Sequence, residues 1–364
     1  MSKRIVIAAG GTGGHLFPAQ SLAEELKEQM PDCVIRFMGK GLSTNPRFDK
    51  KLYEYDDIAS SPLSKGVKAV FHILKGVWQA RRALKRFHPD VVIGFGSYHT
   101  FPILVACRLL GIELLLHEAN SIPGKVNRLF SSYAAMTGVF FPDTAKLLKG
   151  NVQETDIPLR DAFSEKRRPS KNEALQFYGL QENAHTVLVF GGSLGAKKLN
   201  EMACKSLCRI EKPLQVLHFT GSFEASQLVR AEYSKAKVPA VVRDFESEMQ
   251  YAWAAADLCI SRAGASTVAE AIAFGVPVVF IPYPFASDHH QDKNAEYLVK
   301  QIEAAVSFQE KGLDPEELAG AVEKLIAPVK QEAMKEKLKS LRSRMQTRRF
   351  SDIVVQHLRQ EMQK

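Results

Sequence analysis

The chain has 364 residues, 45% hydrophobic and 24% charged, with 49 Lys and Arg against 40 Asp and Glu for a formal net charge of +9. This composition excludes a disordered or fibrous protein, and the length accommodates two α/β domains with cores of their own. The basic excess points to an acidic ligand or surface without choosing among nucleic acid, anionic lipid and phosphorylated metabolite. Cys33, Cys107, Cys204, Cys208 and Cys259 are odd in number and lack metal-ligand spacing, so neither a disulfide framework nor a zinc module is expected. The apolar stretch 101–116 is broken by Arg108 and Glu113, and the N-terminus has no signal-like apolar region, so a cytoplasmic location without a membrane span is expected.

Residues 5–9 form an apolar run of strand length, followed by Gly10-Gly11-Thr12-Gly13-Gly14-His15. Ala19, Leu22, Ala23 and Leu26 then recur at helical spacing, with Pro18 expected in the helix's first turn and Pro31 stopping it. A turn without β-carbons feeding a helix start suits a phosphate or another anion. It is not a dinucleotide fingerprint. Leu16 stands where the last glycine would be, and the strand at 33–38 ends in Gly39-Lys40-Gly41 with no acidic residue.

Between Ile58 and Pro89 there are seven basic residues (Lys65, Lys68, Lys75, Arg81, Arg82, Lys85, Arg86) and no acidic one, interleaved with Phe71, Leu74, Val77 and Trp78. Such a helix suits an anionic membrane surface. The alternative is a helix whose apolar face is core and whose basic face is only solvated. No helix-turn-helix, RNP or zinc-finger signature accompanies the charge, so nucleic acid is not expected.

Strand-like runs follow at 90–95, 113–116 and 136–141, the first leading into Gly94-Phe95-Gly96-Ser97-Tyr98 and the second into His117-Glu118-Ala119-Asn120. Polar residues at strand carboxyl ends are where open α/β sheets keep their sites. A polar connection after Arg160 separates a second half on the same plan. Its strands are expected at 186–190, 214–219, 240–245, 257–261 and 277–281, with a glycine turn at Gly191-Gly192-Ser193-Leu194-Gly195-Ala196. The expectation is two doubly wound parallel-sheet domains, 1–160 and 161–345, with a last helix at 346–364 returning to the first.

Three constellations could carry chemistry. Gly191-x-Ser193-x-Gly195 fits a nucleophile elbow, with Asp257 or Asp288 and His289 or His290 completing a serine hydrolase. Ala263 to Thr267 open a helix whose amides could hold a diphosphate, and Glu270 could accept both hydroxyls of a ribose; equally, Thr267-x-x-Glu270 has the spacing of a capping box. Asp288 to Ala295 gathers amide and imidazole groups suited to sugar hydroxyls, without usable metal spacing.

Taken together and in this order, Gly10–His15 with Pro18, Gly191–Ala196, the Gly264-Ala265-x-Thr267-x-x-Glu270 helix and Gln291-x-x-Asn294-Ala295 resemble glycosyltransferase family 28. These enzymes add N-acetylglucosamine to the lipid-linked muramoyl-pentapeptide of peptidoglycan. The resemblance implies a GT-B fold, two Rossmann-like domains facing a cleft, with UDP-N-acetylglucosamine mainly on the second domain. The undecaprenyl-pyrophosphoryl-muramoyl-pentapeptide acceptor would lie on the first, with no cofactor and a peripheral location on the cytoplasmic face of the membrane. It implies Thr12, Gly13, Gly14, Asn120 and Arg160 near the donor sugar or its phosphates, and Ser193 with Ala265, Ser266 and Thr267 on the diphosphate. Glu270 would hold the ribose, Gln291 the sugar, and the Phe245-Glu246 backbone the uracil. Gly94, Gly96 and Tyr98 would shape the acceptor side, and His15 is the expected general base with Glu118 as its rival. The chain departs from the family pattern at Ser97, Ala119, Ile157, Leu194 and His290. A sugar-nucleotide epimerase of the same fold is the alternative.

Overall fold

A computed structural model describes residues 2–11, 13–62, 67–192 and 196–360. The chain divides into two units, Met1–Asp161 with Met345–Lys364 and Ala162–Arg344. In the first, the order is β1 (Arg4–Ala8), α1 (Gly13–Gln29), β2 (Val34–Gly39), β3 (Glu54–Asp57), α2 (Val67–Phe87), β4 (Val91–Gly94), α3 (Phe101–Leu109), β5 (Glu113–Glu118), α4 (Lys125–Phe130), β6 (Met136–Val139) and β7 (Val152–Glu154). The second runs α5 (Lys171–Tyr178), β8 (His185–Phe190), α6 (Lys197–Leu207), β9 (Leu214–Phe219), α7 (Phe223–Lys235), β10 (Ala240–Arg243), α8 (Met249–Ala255) and β11 (Leu258–Ser261). It continues with α9 (Ala265–Phe274), β12 (Val278–Phe280), α10 (His290–Glu296), β13 (Ala305–Ser307), α11 (Pro315–Leu325) and α12 (Pro328–Gln346), and α13 (Phe350–Gln360) then rejoins the first unit.

Both sheets are parallel, in the orders β3-β2-β1-β4-β5-β6-β7 and β10-β9-β8-β11-β12-β13. Strands covered on both faces need no polar alternation, and β1 shows why its run is continuously apolar. Ile5 and Ile7 join the cluster with Leu16, Leu22, Phe350 and Val354 of α1 and α13. Val6 and Ala8 join the opposite one with Leu84 of α2 and Ile103 and Leu104 of α3. The strands that no apolar run announces are β3, β7 and β13, all at or next to a sheet edge, where Glu-Tyr-Asp-Asp and Val-Gln-Glu need bury little.

One expectation needs correction, and one alternative does not hold in its simple form. Helix α1 begins at Gly13, so Gly13-Gly14-His15 are its first residues and Pro18 lies inside it. The ladder therefore lacks the bond residue 18 would give to the Gly14 carbonyl, a loss the helix tolerates so near its end. Nor is the apolar side of α2 simply core. Its buried face is made of Ala69, Ala80, Ala83, Leu84 and Phe87, while Phe71 (70% exposed), Leu74 (62%) and Trp78 (62%) face solvent. Lys75, Arg81, Arg82 and Lys85 are exposed beside them, and the Arg82 guanidinium lies over the Trp78 ring. At the end of this stretch Arg86 pairs with Asp56 at 2.7 Å, and Lys65 at its start lies outside the described residues.

Candidate active site

In a doubly wound sheet the ligand crevice opens at strand carboxyl ends where the strand order reverses. In the first unit that point lies between β1 and β4, so Gly10, Gly11 and the start of α1 flank it on one side and the Phe95–Tyr98 loop on the other. In the second it lies between β8 and β11, flanked by Gly191 and Gly192 after β8 and by the start of α9. Each glycine turn singled out from sequence thus sits at a switch point.

At the first crevice the glycines have particular reasons. Gly11 holds φ +87°, and a β-carbon there would come 2.8 Å from His99 Cδ2. Gly96 and Ser97 are both left-handed, at φ +77° and +71°, turning the chain so that Tyr98, 40% exposed, reaches the surface. Ser97 therefore occupies a conformation that favours glycine. Gly94, expected on the acceptor side, is instead buried in β4, where a β-carbon would meet Leu116 at 2.9 Å and Leu104 at 3.2 Å.

Three imidazoles gather at these strand ends. His15, half-buried in the first turn of α1, is close enough to lower the pKa of both His99 and His117. Burial is the main cause for each, and both are pushed down to about 4, so they are neutral at physiological pH. His117 is packed between Phe95 and Phe350, with its Nε2 2.9 Å from the Asp156 carbonyl oxygen, which makes it a brace for α13.

Glu118 is buried, and its carboxylate organises the following loop: Asn120 N donates to Oε1, while Gly124 N and Asn127 Nδ2 donate to Oε2, all at 2.9 Å. Burial raises its pKa against these bonds, which lower it. A carboxylate so enclosed by donors shapes the Asn120 loop. Asn120 and Arg160 are half-buried, and Arg160 acts electrostatically on Glu24. Thr12 lies outside the described residues.

The second crevice is built from backbone. Gly191 lets its turn close on the start of α6, since a β-carbon there would come 2.4 Å from Ala196 Cβ. Ser193 and Leu194 lie outside the described residues. Helix α9 is capped by Gly264 with no side-chain acceptor, so the first amides of the helix, from Ala265, Ser266 and Thr267, point their dipoles outward. Glu270 makes no capping box: that helix starts too early, and its Oε2 accepts from the buried Trp253 indole at 2.8 Å. One oxygen is thereby fixed and the carboxylate oriented.

Neighbouring groups hold this crevice in shape. Asn294 Nδ2 donates to the Ala263 carbonyl at 3.0 Å, tying α10 to the α9 start. Arg262 donates to the Ile281 and Pro282 carbonyls and pairs with Glu310, bracing the loop that carries Gln291. Gln291 Oε1 in turn accepts from Tyr283 N at 2.9 Å. Ahead of it Asp288 and His289 both hold positive φ, at +53° and +51°, and His290 Nδ1 lies 2.8 Å from the Ser287 carbonyl. Phe245 is 65% exposed, whereas the Glu246 carboxylate is buried, accepting from Tyr178 Oη at 3.0 Å and Glu248 N at 2.9 Å and pairing with Arg243. The Glu246 side chain is thus turned into the protein, while that of Phe245 faces solvent. Among the described residues no group of His, Cys, Asp and Glu is arranged to hold a metal ion.

Topology removes Asp257 from the hydrolase reading. Asp257 precedes β11 at the amino end of the parallel sheet, whereas Ser193 follows the carboxyl end of β8. Its carboxylate is buried, with Lys171 at 2.5 Å, Lys335 at 3.5 Å and Thr186 N donating at 3.1 Å. Sequence reasoning missed His99, Trp253 and the bracing role of Arg262. Nothing in their spacing announces them, because each acts on a segment distant in sequence.

Two family descriptions match the chain: the glycosyltransferase family 28 N-terminal domain over residues 5–139 and the glycosyltransferase family 28 C-terminal domain over residues 186–355. Among curated relatives, the UDP-N-acetylglucosamine–N-acetylmuramyl-(pentapeptide) pyrophosphoryl-undecaprenol N-acetylglucosamine transferase of Protochlamydia amoebophila is 44% identical over 362 residues, covering 98% of this chain and 96% of that protein. The Cupriavidus necator protein of the same name is 37% identical over 333 residues, covering 90% of each. Among solved structures, Acinetobacter baumannii MurG superposes with a TM-score of 0.77 at 30% identity, covering 98% of this chain and 99% of that one. Os79 from O. sativa in complex with UDP has a TM-score of 0.73 at 14% identity, covering 98% and 99%, a likeness of fold alone.

Proposed function

We propose, from a chain that belongs to glycosyltransferase family 28, that it transfers N-acetylglucosamine from UDP-N-acetylglucosamine to the C4 hydroxyl of lipid-linked muramoyl-pentapeptide. The observation that carries this reading is the pair of switch-point glycine turns with unlike chemistry: imidazoles at one, helix-start amides with an oriented carboxylate at the other. No specific observation favours an epimerase, and the position of Asp257 removes its hydrolase role.

The acceptor C4 oxygen attacks the anomeric carbon as the bond from that carbon to the UDP oxygen breaks, with inversion to a β1,4 link. His15 takes the hydroxyl proton, a task suited to an imidazole nitrogen within reach of the acceptor hydroxyl. The departing diphosphate is stabilised by the α9 amides of Ala265, Ser266 and Thr267, with Ser193, Thr12, Gly13, Gly14 and Arg160 as further donors. Glu270 accepts from the ribose hydroxyls, Gln291 and Asn120 contact the sugar, and the Phe245-Glu246 backbone meets the uracil. Gly96 and Tyr98 shape the acceptor side. Labelled UDP-N-acetylglucosamine, with and without a lipid-linked muramoyl acceptor, tests the reading. UDP release only with acceptor is expected; turnover of the donor alone would replace the transferase by an epimerase.

The acceptor's lipid also gives the exposed face of α2 a role. Phe71, Leu74 and Trp78 insert at the headgroup boundary while Lys75, Arg81, Arg82 and Lys85 attract anionic lipid, holding the enzyme as a peripheral protein at the cytoplasmic leaflet. Sedimentation with vesicles checks this: binding to anionic but not neutral vesicles, weakened by salt and by Trp78→Ser, is expected.

A further inference from the structure

His99 sits where three loops meet at the carboxyl ends of β1, β3 and β4. Its ring lies on the first glycine turn: a β-carbon at Gly10 would be 3.3 Å from His99 Cβ, and one at Gly11 would be 2.8 Å from Cδ2 and 2.9 Å from Nε2. Ser60, just beyond β3, brings its Oγ to 3.4 Å from Nδ1. On its other side the ring is tilted 32° against Tyr98, with centroids 4.0 Å apart. One half-buried side chain thus touches three segments that are far apart in sequence.

The turn needs such a neighbour. Gly11 at φ +87° is in a region glycine visits freely but no side chain of its own enforces, so the rigidity of Gly10–Gly11 must come from outside. The imidazole fills the volume that missing β-carbons leave. It is also the right kind of filler: burial, then Lys40, then His15 push its pKa down to about 4, so it remains neutral beside His15 and does not oppose a positive charge forming there.

We propose that His99 is a positioning residue for the acceptor, its ring the wedge that sets the Gly10–Gly11 turn, and with it the first turn of α1 bearing His15, against the Tyr98 loop. The proposal rests on reading the first unit as the acceptor side. It makes His99 a determinant of acceptor binding and alignment through Tyr98 and His15, with no contact to the donor required.

Steady-state kinetics of the full chain, with donor and lipid-linked acceptor varied separately, test it. For H99A the expected result is an acceptor KM raised about tenfold and a kcat lowered about tenfold, with the donor KM raised by less than the acceptor KM, because among the described residues only Gly13 and Gly14 of the donor's contacts follow this turn. H99F keeps a ring against Gly11 and loses the Ser60 partner; it recovers most of both losses, whereas H99N, which keeps a polar group without the ring, does not. An H99A enzyme with unchanged acceptor KM and kcat overturns the proposal, and so does an H99F enzyme as impaired as H99A. If H99A does not fold, the contrast of H99F with H99N decides alone. H15A measured in parallel separates the two readings. An active H15A removes the His15 assignment whatever His99 does, while an inactive H15A beside a normal H99A removes only the role of His99.

Discussion

The two switch points have the same topology and opposite chemistry. At the first, between β1 and β4, the strand ends carry His15, His99 and His117, and the glycine turn is held by an imidazole from another loop. At the second, between β8 and β11, the glycine turn closes on its own helix, α9 presents unscreened amides, and Glu270 is fixed by Trp253. The buried His218 of the second unit has no share in its crevice. It lies in the core with Nδ1 3.1 Å from Tyr233 Oη and Nε2 3.2 Å from Asn200 Oδ1. A parallel sheet dictates where a ligand goes but not which one. Groups able to take a proton suit a hydroxyl nucleophile, and amide dipoles with a carboxylate suit a nucleoside diphosphate.

The contrast is broken most directly at His15. If the first crevice supplies the base, His15→Ala lowers kcat by roughly 10²–10⁴-fold while the donor KM changes little. Glu118→Gln is the control. It keeps acceptor capacity at one oxygen and turns the other into a donor facing Gly124 N and Asn127 Nδ2, so its main effect is on stability, read as a lowered thermal midpoint. A dead E118Q with normal melting, beside an active H15A, would reverse the assignment.

At the second crevice the corresponding change is at Glu270. Glu270→Gln keeps an oxygen for the Trp253 indole but loses the charge, and the donor KM rises by about tenfold, some 1.4 kcal/mol. Glu270→Ala loses both and also leaves a buried indole N–H unpaired, so about tenfold more donor affinity and part of the thermal stability go together. In both variants the acceptor KM remains near wild type; a parallel rise would show that the crevices do not divide the substrates.

How much of this was legible in the sequence follows from which interactions are local. The central strands are legible because β1, β4, β8 and β11 each contain a short apolar run, and the glycine turns after β1, β4 and β8 because Gly11, Gly96 and Gly192, at φ +87°, +77° and +90°, leave few residue choices. The strands β3, β7 and β13 are not, since at the margins of a sheet short polar segments suffice. Pro18 lies inside α1 rather than in its first turn because Gly13 and Gly14, glycines that favour a loop in sequence, are helical. The Thr267-x-x-Glu270 spacing suggests a capping box that does not form, because the helix is capped by Gly264 and the partner that holds the carboxylate, Trp253, lies in another helix. Likewise the side-chain role of Glu118 depended on Gly124 and Asn127, which spacing alone does not bring to it.

A smaller effect is expected at the seam where α13 meets the first unit. Asp156 Oδ1 accepts from Phe350 N at 2.8 Å, and its pKa is raised to about 7, first by burial and then by Glu25, with Arg349 and the Phe350 bond opposing. A carboxyl with a raised folded-state pKa favours folding below its unfolded value, near 4, and that contribution is lost as pH climbs through about 7. Asp156→Asn keeps the acceptor for Phe350 and removes the titration. Thermal unfolding of the variant is therefore expected to show a gain in stability over wild type at pH 8 and almost none at pH 4. An equal difference at both pH values would mean that the carboxyl stays charged throughout.

The smallest expected effect concerns backbone strain, which both crevices carry: Ser97 at φ +71° beside the first, Asp288 and His289 at +53° and +51° beside the second. A side chain in the left-handed region costs about 1 kcal/mol, and Ser97→Gly relieves it. The glycine also gains freedom in the unfolded chain, which offsets about 0.5–1 kcal/mol. The bond that Ser97 Oγ accepts from His99 N, at 3.5 Å, adds little to hold the serine in place. The net change is therefore a stabilisation of at most about 0.5 kcal/mol, whereas Ser97→Val, branched at the β-carbon, is destabilised by about 1–2 kcal/mol. Melting temperatures in the order Gly, Ser, Val identify the constraint at this corner as one of backbone. A Ser97→Gly variant more than about 1 kcal/mol less stable than wild type would instead mark the hydroxyl as holding the Tyr98–His99 loop, and would extend the bracing of the first crevice to a fourth group beside Ser60, Tyr98 and the glycine turn.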